Sequence, residues 1–475
     1  MILYIRSLSL VQRCRQDFVL NNGCMLFFWR ALVVCMQNSC LLVRVLFLFG
    51  GDIVNLILKG AKVYIDNQFK TTDITICNDT IESIGTADSK YPVIDCTGFH
   101  IFPGFTDVHV HLREPGFSYK ETIKTGTMAA ARGGYTAVCS MPNLNPVPDS
   151  LENLKIQEEI IERDAVIDVF PFASITKEQK GEALSDIEEL SKRAIGFSDD
   201  GRGVQSEEMM EEAMKRVKAS SSIISAHCED NSLLFGGYIH DGEYAKEHNH
   251  KGICSESEWG PIKRDIELIK KTGVKYHVCH ISTAESVDLI RKAKQDGFPI
   301  SCETGPHYLV FNDGDLKEEG RFKMNPPIRS ERDRLALLEG IVDGTIDMIA
   351  TDHAPHSFEE KSKGLEKSMM GVVGIETAFP VLYTKLVKTG TITLEKLISL
   401  MHDAPKNVFG IGNDIKVGEK ANLTVFDLEK EYKIDPKEFL SMGNATPFEG
   451  DRVFGRCMLT IYKGDIAWKE NLTEN

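Results

Sequence analysis

Two histidines one residue apart, His109 and His111, lie in the apolar run Gly-Phe-Thr-Asp-Val-His-Val-His-Leu-Arg-Glu-Pro-Gly at residues 104–116. Alternate side chains of an extended strand share a face, so both imidazoles aim at one point. The Arg-Glu-Pro-Gly turn then ends the strand. A strand that delivers two imidazoles and stops is built like one wall of a metal site. Other apolar runs also end in ligand-type residues. Ser198-Asp199-Asp200-Gly201, Ala226-His227-Cys228-Glu229, His277-Val278-Cys279-His280 and Thr351-Asp352-His353-Ala354-Pro355-His356 each close one. Met141-Pro142-Asn143 and Glu303-Thr304-Gly305-Pro306-His307 close two more. Histidines that merely fill strand ends have no reason to converge. Four neutral imidazoles with carboxylates suit two divalent transition-metal ions, zinc above all. Two ions about 3.5–4 Å apart need a bridging anion, and zinc lowers the pKa of water to about 7. The implied chemistry is hydrolysis of an amide, or its reverse.

Convergence requires a scaffold in which several strands end at one place. From Gly104 onward, apolar and β-branched runs at 105–111, 135–141, 166–174, 194–198, 221–227, 274–280, 298–303 and 346–351 read as strands. Amphipathic stretches at 119–132, 151–163, 206–219, 261–272, 283–296 and 331–342 separate most of them. Eight buried strands with helical crossovers predict a (β/α)8 barrel, whose active sites sit at the carboxyl ends of the strands. A doubly wound open sheet fits less well, because no Gly-rich phosphate loop follows the first strand. Before Pro103 and after about Gly410 the pattern is short alternating strands with turns. The two ends are expected to pair into one small β-sandwich. The predicted divisions are therefore 1–52, an atypical extension; 53–103, the first part of the sandwich; 104–410, the barrel; and 411–475, the rest of the sandwich.

With 475 residues, 42% hydrophobic and 26% charged, the chain has the composition of a soluble globular protein. Its net charge of −15 offers no basic footprint for nucleic acid. The twelve cysteines include no Cys-x-x-Cys pair, and Cys139, Cys228, Cys279 and Cys302 fall in predicted buried strands. That usage fits reduced thiols in a reducing compartment, the cytoplasm. Residues 1–50 differ, with five arginines, one acidic residue (Asp17) and four of the cysteines. Their apolar stretch, Met25 to Phe49, is interrupted by Arg30, Gln37, Asn38 and Arg44, which a membrane span of about 20 apolar residues would not be. The expectation is a non-native or targeting extension whose deletion leaves activity intact.

The motifs Asp-Val-His-Val-His-Leu-Arg-Glu-Pro-Gly, Met-Pro-Asn, Phe-Ser-Asp-Asp-Gly, Ala-His-Cys-Glu, His-Val-Cys-His-Ile-Ser, Lys-Met-Asn-Pro-Pro-Ile-Arg and Ala-Thr-Asp-His-Ala-Pro-His occur in this order. Over about residues 54–470 the chain thereby resembles the dihydroorotases of the amidohydrolase superfamily. The resemblance implies a two-zinc barrel hydrolase interconverting N-carbamoyl-L-aspartate and L-dihydroorotate in pyrimidine synthesis. By motif, His109, His111 and Asp352 would hold the first zinc, His227 and His280 the second, and Asp200 would bridge them. His277 is the rival ligand in the sixth strand, and the motif selects His280. No lysine occurs in the Ile195–Asp200 stretch. The chain therefore resembles bacterial-type members with an aspartate bridge, rather than relatives with a carboxylated lysine. Arg113, Asn143 and His356 would bind the substrate carboxylate, and Asn325 with the backbone of Met370 and Gly371 would bind the pyrimidine ring, with His111 also against substrate. Met370 stands where the family usually carries an aromatic residue. Asp352 would act first as base and then as acid. Rival readings are a hydantoinase, dihydropyrimidinase or allantoinase, whose substrates lack the ring carboxylate, and an inactive scaffold, which would have lost ligands this chain retains. A homodimer and association with another enzyme of the pathway are both left open.

Overall fold

In the computed structural model, residues 55–86 and 90–470 are described; the extension expected over residues 1–52 lies outside the described residues. The first five strands are β1 (Leu56–Ile65), β2 (Gln68–Cys77), β3 (Thr80–Ile84), β4 (Val93–Asp95) and β5 (His100–Pro103). Asp66 and Asn67 join β1 to β2 with φ of 51° and 59°, the left-handed pair that a two-residue hairpin requires. The last three strands, β15 (Leu423–Lys433), β16 (Arg452–Tyr462) and β17 (Asp465–Lys469), form an antiparallel meander. β5 pairs with β15, so the two ends of the chain share one eight-stranded sheet, β17-β16-β15-β5-β1-β2-β3 with β4 beside β1. The sheet curls until β3 meets the approach to β15, where Ile81 N–H donates to the Glu419 carbonyl at 2.9 Å. Folded in this way, it encloses an aliphatic core of Leu58, Val63, Ile76, Leu423, Val425 and Ile461. This is the β-sandwich.

Between these ends runs the barrel. Its parallel strands are β6 (Phe105–Val110), β7 (Tyr135–Ser140), β8 (Asp168–Pro171), β9 (Ile223–Ala226), β12 (Lys275–Val278), β13 (Ile300–Thr304) and β14 (Met348–Ile349); β10 (Ile239–His240) and β11 (Gly252–Ile253) form a small ribbon in the excursion after β9. The expected strand at 194–198 makes no full ladder. Phe197 alone bridges Ala173 on one side and Ile224 on the other. Val110 bridges His353, closing the eighth strand onto the first. A polar Ser-Asp-Asp turn follows Phe197 at once, leaving no residues to extend the pairing.

Helices cover the strands where periodicity placed them, and caps set their starts. Ser150, Ser206, Thr283 and Ser330 each accept a backbone N–H at the head of the helices Leu151–Asp164, Glu207–Ala219, Ala284–Gln295 and Glu331–Asp343. The first helix begins at Ile123, later than the expected 119, because the Thr122 capping box fixes its start. Inside the barrel, Val108, Cys139, Met141, Phe172, Met348 and Ala350 fill the floor beneath the strand exits. Cys139, Cys228, Cys279 and Cys302 are buried and unbridged. Among the described residues no helix is long and apolar enough to cross a membrane.

Candidate metal centre

Asp200 sits at the centre of the strand exits. Its Oδ1 lies 3.3 Å from His109 Nε2, 3.5 Å from His227 Nδ1 and 3.5 Å from His280 Nε2. Its Oδ2 lies 3.4 Å from His111 Nε2. Asp352 Oδ1 completes the set at 2.9 Å from His111 Nε2 and 3.6 Å from His109 Nε2. The six side chains come from the first, fourth, fifth, sixth and eighth strand exits, and all are buried. His109, His111 and Asp352 form one group of mutually close donor atoms, and His109, Asp200 and His280 form another.

Outer contacts orient these donors. His109 Nδ1–H donates to Glu303 Oε1 at 2.7 Å, and His111 Nδ1–H donates to Asn143 Oδ1 at 2.8 Å. Each bond leaves an Nε2 lone pair facing Asp200, the arrangement in which metal-binding histidines are held. His277 is turned away: it meets Glu303 Oε2 at 3.0 Å and Ser301 Oγ at 2.8 Å. Glu303 therefore ties His109 to His277, and the structure brings His280, not His277, to the cluster. Asp107 joins the first and eighth exits by accepting from His109 N–H at 3.1 Å and from the Thr351 hydroxyl at 2.6 Å. Three site residues have left-handed backbones: Arg113 (φ 62°), His280 (φ 32°) and Asp352 (φ 45°). Such conformations cost on the order of 1–3 kcal/mol each and persist only where surrounding contacts impose them.

Electrostatics ask for added positive charge here. Burial works against charging His109, but Asp200 and Glu303 hold its pKa well above the usual histidine range. Burial likewise opposes His227, which Asp200 and Glu229 nevertheless push up to about 10. Asp200 is held well below the carboxylate range by His109, His227 and His280 despite its burial. The buried His109 Nε2 and Asp200 Oδ1 lack hydrogen-bond partners. Divalent cations would supply the charge, displace the protons and engage these orphaned atoms. The donor set fits two such ions.

The cluster forms the floor of a cleft of about 440 Å³ whose lining also includes Arg113, Lys120, Asn143, Asn325, His356, Met370 and Gly371. Arg113 Nε donates to the Pro355 carbonyl at 3.1 Å, and its Nη2 lies 3.3 Å from His356 Nε2. His356 is pushed down to about 3 by burial and by the Arg113 and Lys120 charges, so it is neutral. Its Nε2 lies 2.8 Å from the Met370 carbonyl oxygen, and its Nδ1 lies between Lys120 Nζ at 3.3 Å and Glu360 Oε2 at 3.1 Å. A Cβ at Gly371, where φ is +128°, would come within 2.8 Å of the Ala354 carbonyl oxygen and 3.1 Å of His356 Nε2, so only glycine fits that approach. Asn325 donates to Glu229 Oε1 at 2.9 Å, leaving its buried Oδ1 without a partner.

Sequence reading missed Lys120, Glu360 and Lys361, and the partner of Glu303. Lys120 pairs with Glu360 at 3.0 Å and so fixes the cationic wall beside His356. Lys361 Nζ donates to the carbonyls of Lys323, Met369 and Gly371, holding the 369–371 loop in place. Glu303 was visible as a strand-end acid, but its partner His109 lies 194 residues away. Nothing local marks the lysines.

A family profile described as dihydro-orotase-like matches residues 98–286. A dihydroorotase of Fusobacterium nucleatum subsp. nucleatum is 48% identical over 419 residues, 87% of this chain and 98% of that protein. One of Macrococcus caseolyticus is 46% identical over 420 residues, again 87% and 98%. Among solved structures, an L-hydantoinase (dihydropyrimidinase) from Arthrobacter aurescens superposes with a TM-score of 0.79 at 26% identity, over 88% of this chain and 96% of that one. A dihydropyrimidinase from Brevibacillus agri, at a TM-score of 0.76 and 22% identity, shares the fold.

Proposed function

The chain belongs to the dihydroorotase family of the amidohydrolase superfamily, and we propose that His109, His111, Asp200, His227, His280 and Asp352 hold two zinc ions in it. It is a cyclic amide hydrolase that interconverts N-carbamoyl-L-aspartate and L-dihydroorotate. His109, His111 and Asp352 would hold one ion and His227 and His280 the other, with Asp200 within reach of both. What bound zinc supplies is Lewis acidity, which makes water a nucleophile near neutral pH and polarises a carbonyl.

The remaining work falls to the side chains. Arg113 offers a planar fork to the substrate carboxylate. Asn143 orients His111 through its Oδ1 and turns its amide nitrogen toward the same carboxylate. Neutral His356 keeps the pole from repelling its own cations, and the peptide groups of Met370 and Gly371, with Asn325, meet the ring. Asp352 accepts the proton of the attacking water and passes it to the leaving ring nitrogen; ring closure reverses the order. The buried reduced cysteines support a cytoplasmic setting.

One observation carries the choice of substrate over the rival cyclic amides: Arg113, Lys120 and His356 share a cleft with five of the six ligands, His111, Asp200, His227, His280 and Asp352. A hydantoin or dihydrouracil has no carboxylate to occupy such a pole. The test is zinc content and turnover of the purified full chain. Two zinc ions per chain, with chelator-sensitive hydrolysis of dihydroorotate, are expected. Turnover of hydantoin or dihydrouracil with none of dihydroorotate would overturn the reading.

A further inference from the structure

At the other end of the barrel, where Gly104 leads into β6, a second group of ligand-type side chains meets: His402, Asp403 and Asp414. His402 is 1% exposed. Its Nδ1–H donates to the Gly104 carbonyl at 3.1 Å, which leaves Nε2 as a bare lone pair. That nitrogen is buried and has no hydrogen-bond partner. It points at two carboxylates, with Asp414 Oδ1 at 3.6 Å and Asp403 Oδ1 at 4.0 Å. A lone pair facing two anionic oxygens is repulsive unless something positive lies between them. The separations are too long for a shared proton, because hydrogen bonds of this kind close to about 2.7–3.2 Å. The Asp414 separation suits a shared cation, since donors at about 2.0–2.2 Å from one ion stand roughly 3.3–3.6 Å apart, and Asp403 would close in by a few tenths of an ångström to join.

From this geometry we infer a second, non-catalytic divalent-cation site, in which His402 Nε2, Asp403 and Asp414 bind a zinc-type ion with water completing its shell. One imidazole and two carboxylates form an ordinary ligand set for zinc or manganese. The group opens onto a cavity of about 650 Å³, lined also by Tyr64, Asp66 and Asn67, so an ion has a path and a source of water. Lys406 pairs with Asp414 through Oδ2 and leaves Oδ1 to the ion. An ion here would fasten the end of the helical segment Ser399–Asp403, already bonded to Gly104 ahead of the first barrel strand, to Asp414 in the approach to β15, adding stability without touching chemistry.

The experiment compares the zinc-loaded full chain with Asp414→Asn, Asp403→Asn and Lys406→Met after equilibrium dialysis against micromolar Zn2+. Asp414 is 58% exposed, so its substitution leaves the fold intact. Each aspartate variant should retain one zinc fewer per chain than wild type, with affinity for that ion reduced at least about tenfold. Turnover should be unchanged. Zinc added beyond the catalytic load should raise the melting temperature of wild type and of Lys406→Met, but not of the aspartate variants. Equal zinc content in wild type and both aspartate variants would overturn the site. So would a loss in Lys406→Met as large as in Asp414→Asn, because the effect would then belong to the ion pair. Extra zinc that dialyses away from wild type would mark an adventitious ion only and would also refute it.

Discussion

Leu58, Val63, Ile76, Leu423 and Ile461 meet inside the folded sheet as aliphatic neighbours, carried on antiparallel strands that pair side by side. At the mouth of the barrel, His109, His111, Asp200, His227, His280 and Asp352 are just as deeply buried, yet they are polar, crowded and, at His280 and Asp352, conformationally strained. The sheet departs from the local rules of stable structure at scattered points, such as the bulges in its ladders and the unpartnered His100 Nδ1; the mouth concentrates several departures within a few ångströms. Consistency across levels marks parts that hold, and concentrated violations mark parts that act. Burial alone does not distinguish them. What differs is whether the buried groups satisfy each other.

The contrast can be broken at either end, beginning with the largest effect. Asp352→Asn should keep bound metal and lower kcat by about 10²- to 10⁴-fold, the range for loss of a general acid-base. Near-wild-type turnover would remove Asp352 from the chemistry. In the sheet, Leu423→Ala should cost about 3 kcal/mol of unfolding free energy in denaturant titration, as buried Leu-to-Ala changes do. It should leave kcat intact, and a fall in kcat without loss of stability would erase the distinction drawn here. Arg113→Ala should raise KM for carbamoyl-aspartate through loss of about 2 kcal/mol of charged hydrogen bonding, roughly 30-fold. An unchanged KM would mean the carboxylate binds elsewhere. The smallest effect tests the sheet's own response to acid. Burial, helped by the Lys62 charge, pushes His100 in β5 down to about 4 from an ordinary 6.5. Between those values the unfolded chain takes up a proton that the folded chain refuses, so stability falls as pH drops through that window. His100→Phe should lessen the loss between pH 7 and 4.5 by about 1–2 kcal/mol, and an identical pH profile would rule His100 out as its source.

Polar residues interrupting apolar runs made the cluster of histidines and aspartates at the strand exits legible, because a histidine or aspartate at a strand end contradicts its surroundings. The same contrast exposed the eight-strand rhythm. It failed for the fourth strand, where Phe197 supplies bridges on both sides but no ladder, since the Ser-Asp-Asp turn begins at the next residue. Lys120, Glu360 and Lys361 were not legible for another reason. Charged residues in an exposed-looking turn read as solvated, and only tertiary contact turns them inward, Lys361 onto three backbone carbonyls and Lys120 onto His356. Asn143 was found, but its Oδ1 bond to His111 could not be, because side-chain orientation follows from neighbours distant in sequence.

The pairing of β5 with β15 also has a consequence for biogenesis. Strands β1 to β5 leave the ribosome early, yet β15 starts only at Leu423 of 475 residues. While the residues between Pro103 and Leu423 are being made, the early strands carry a naked β5 flank, of the kind that invites adhesion between nascent chains. A holdase that shields this flank until the final strands arrive should therefore raise the soluble yield, and a stop codon placed before Leu423 should send the product into inclusion bodies.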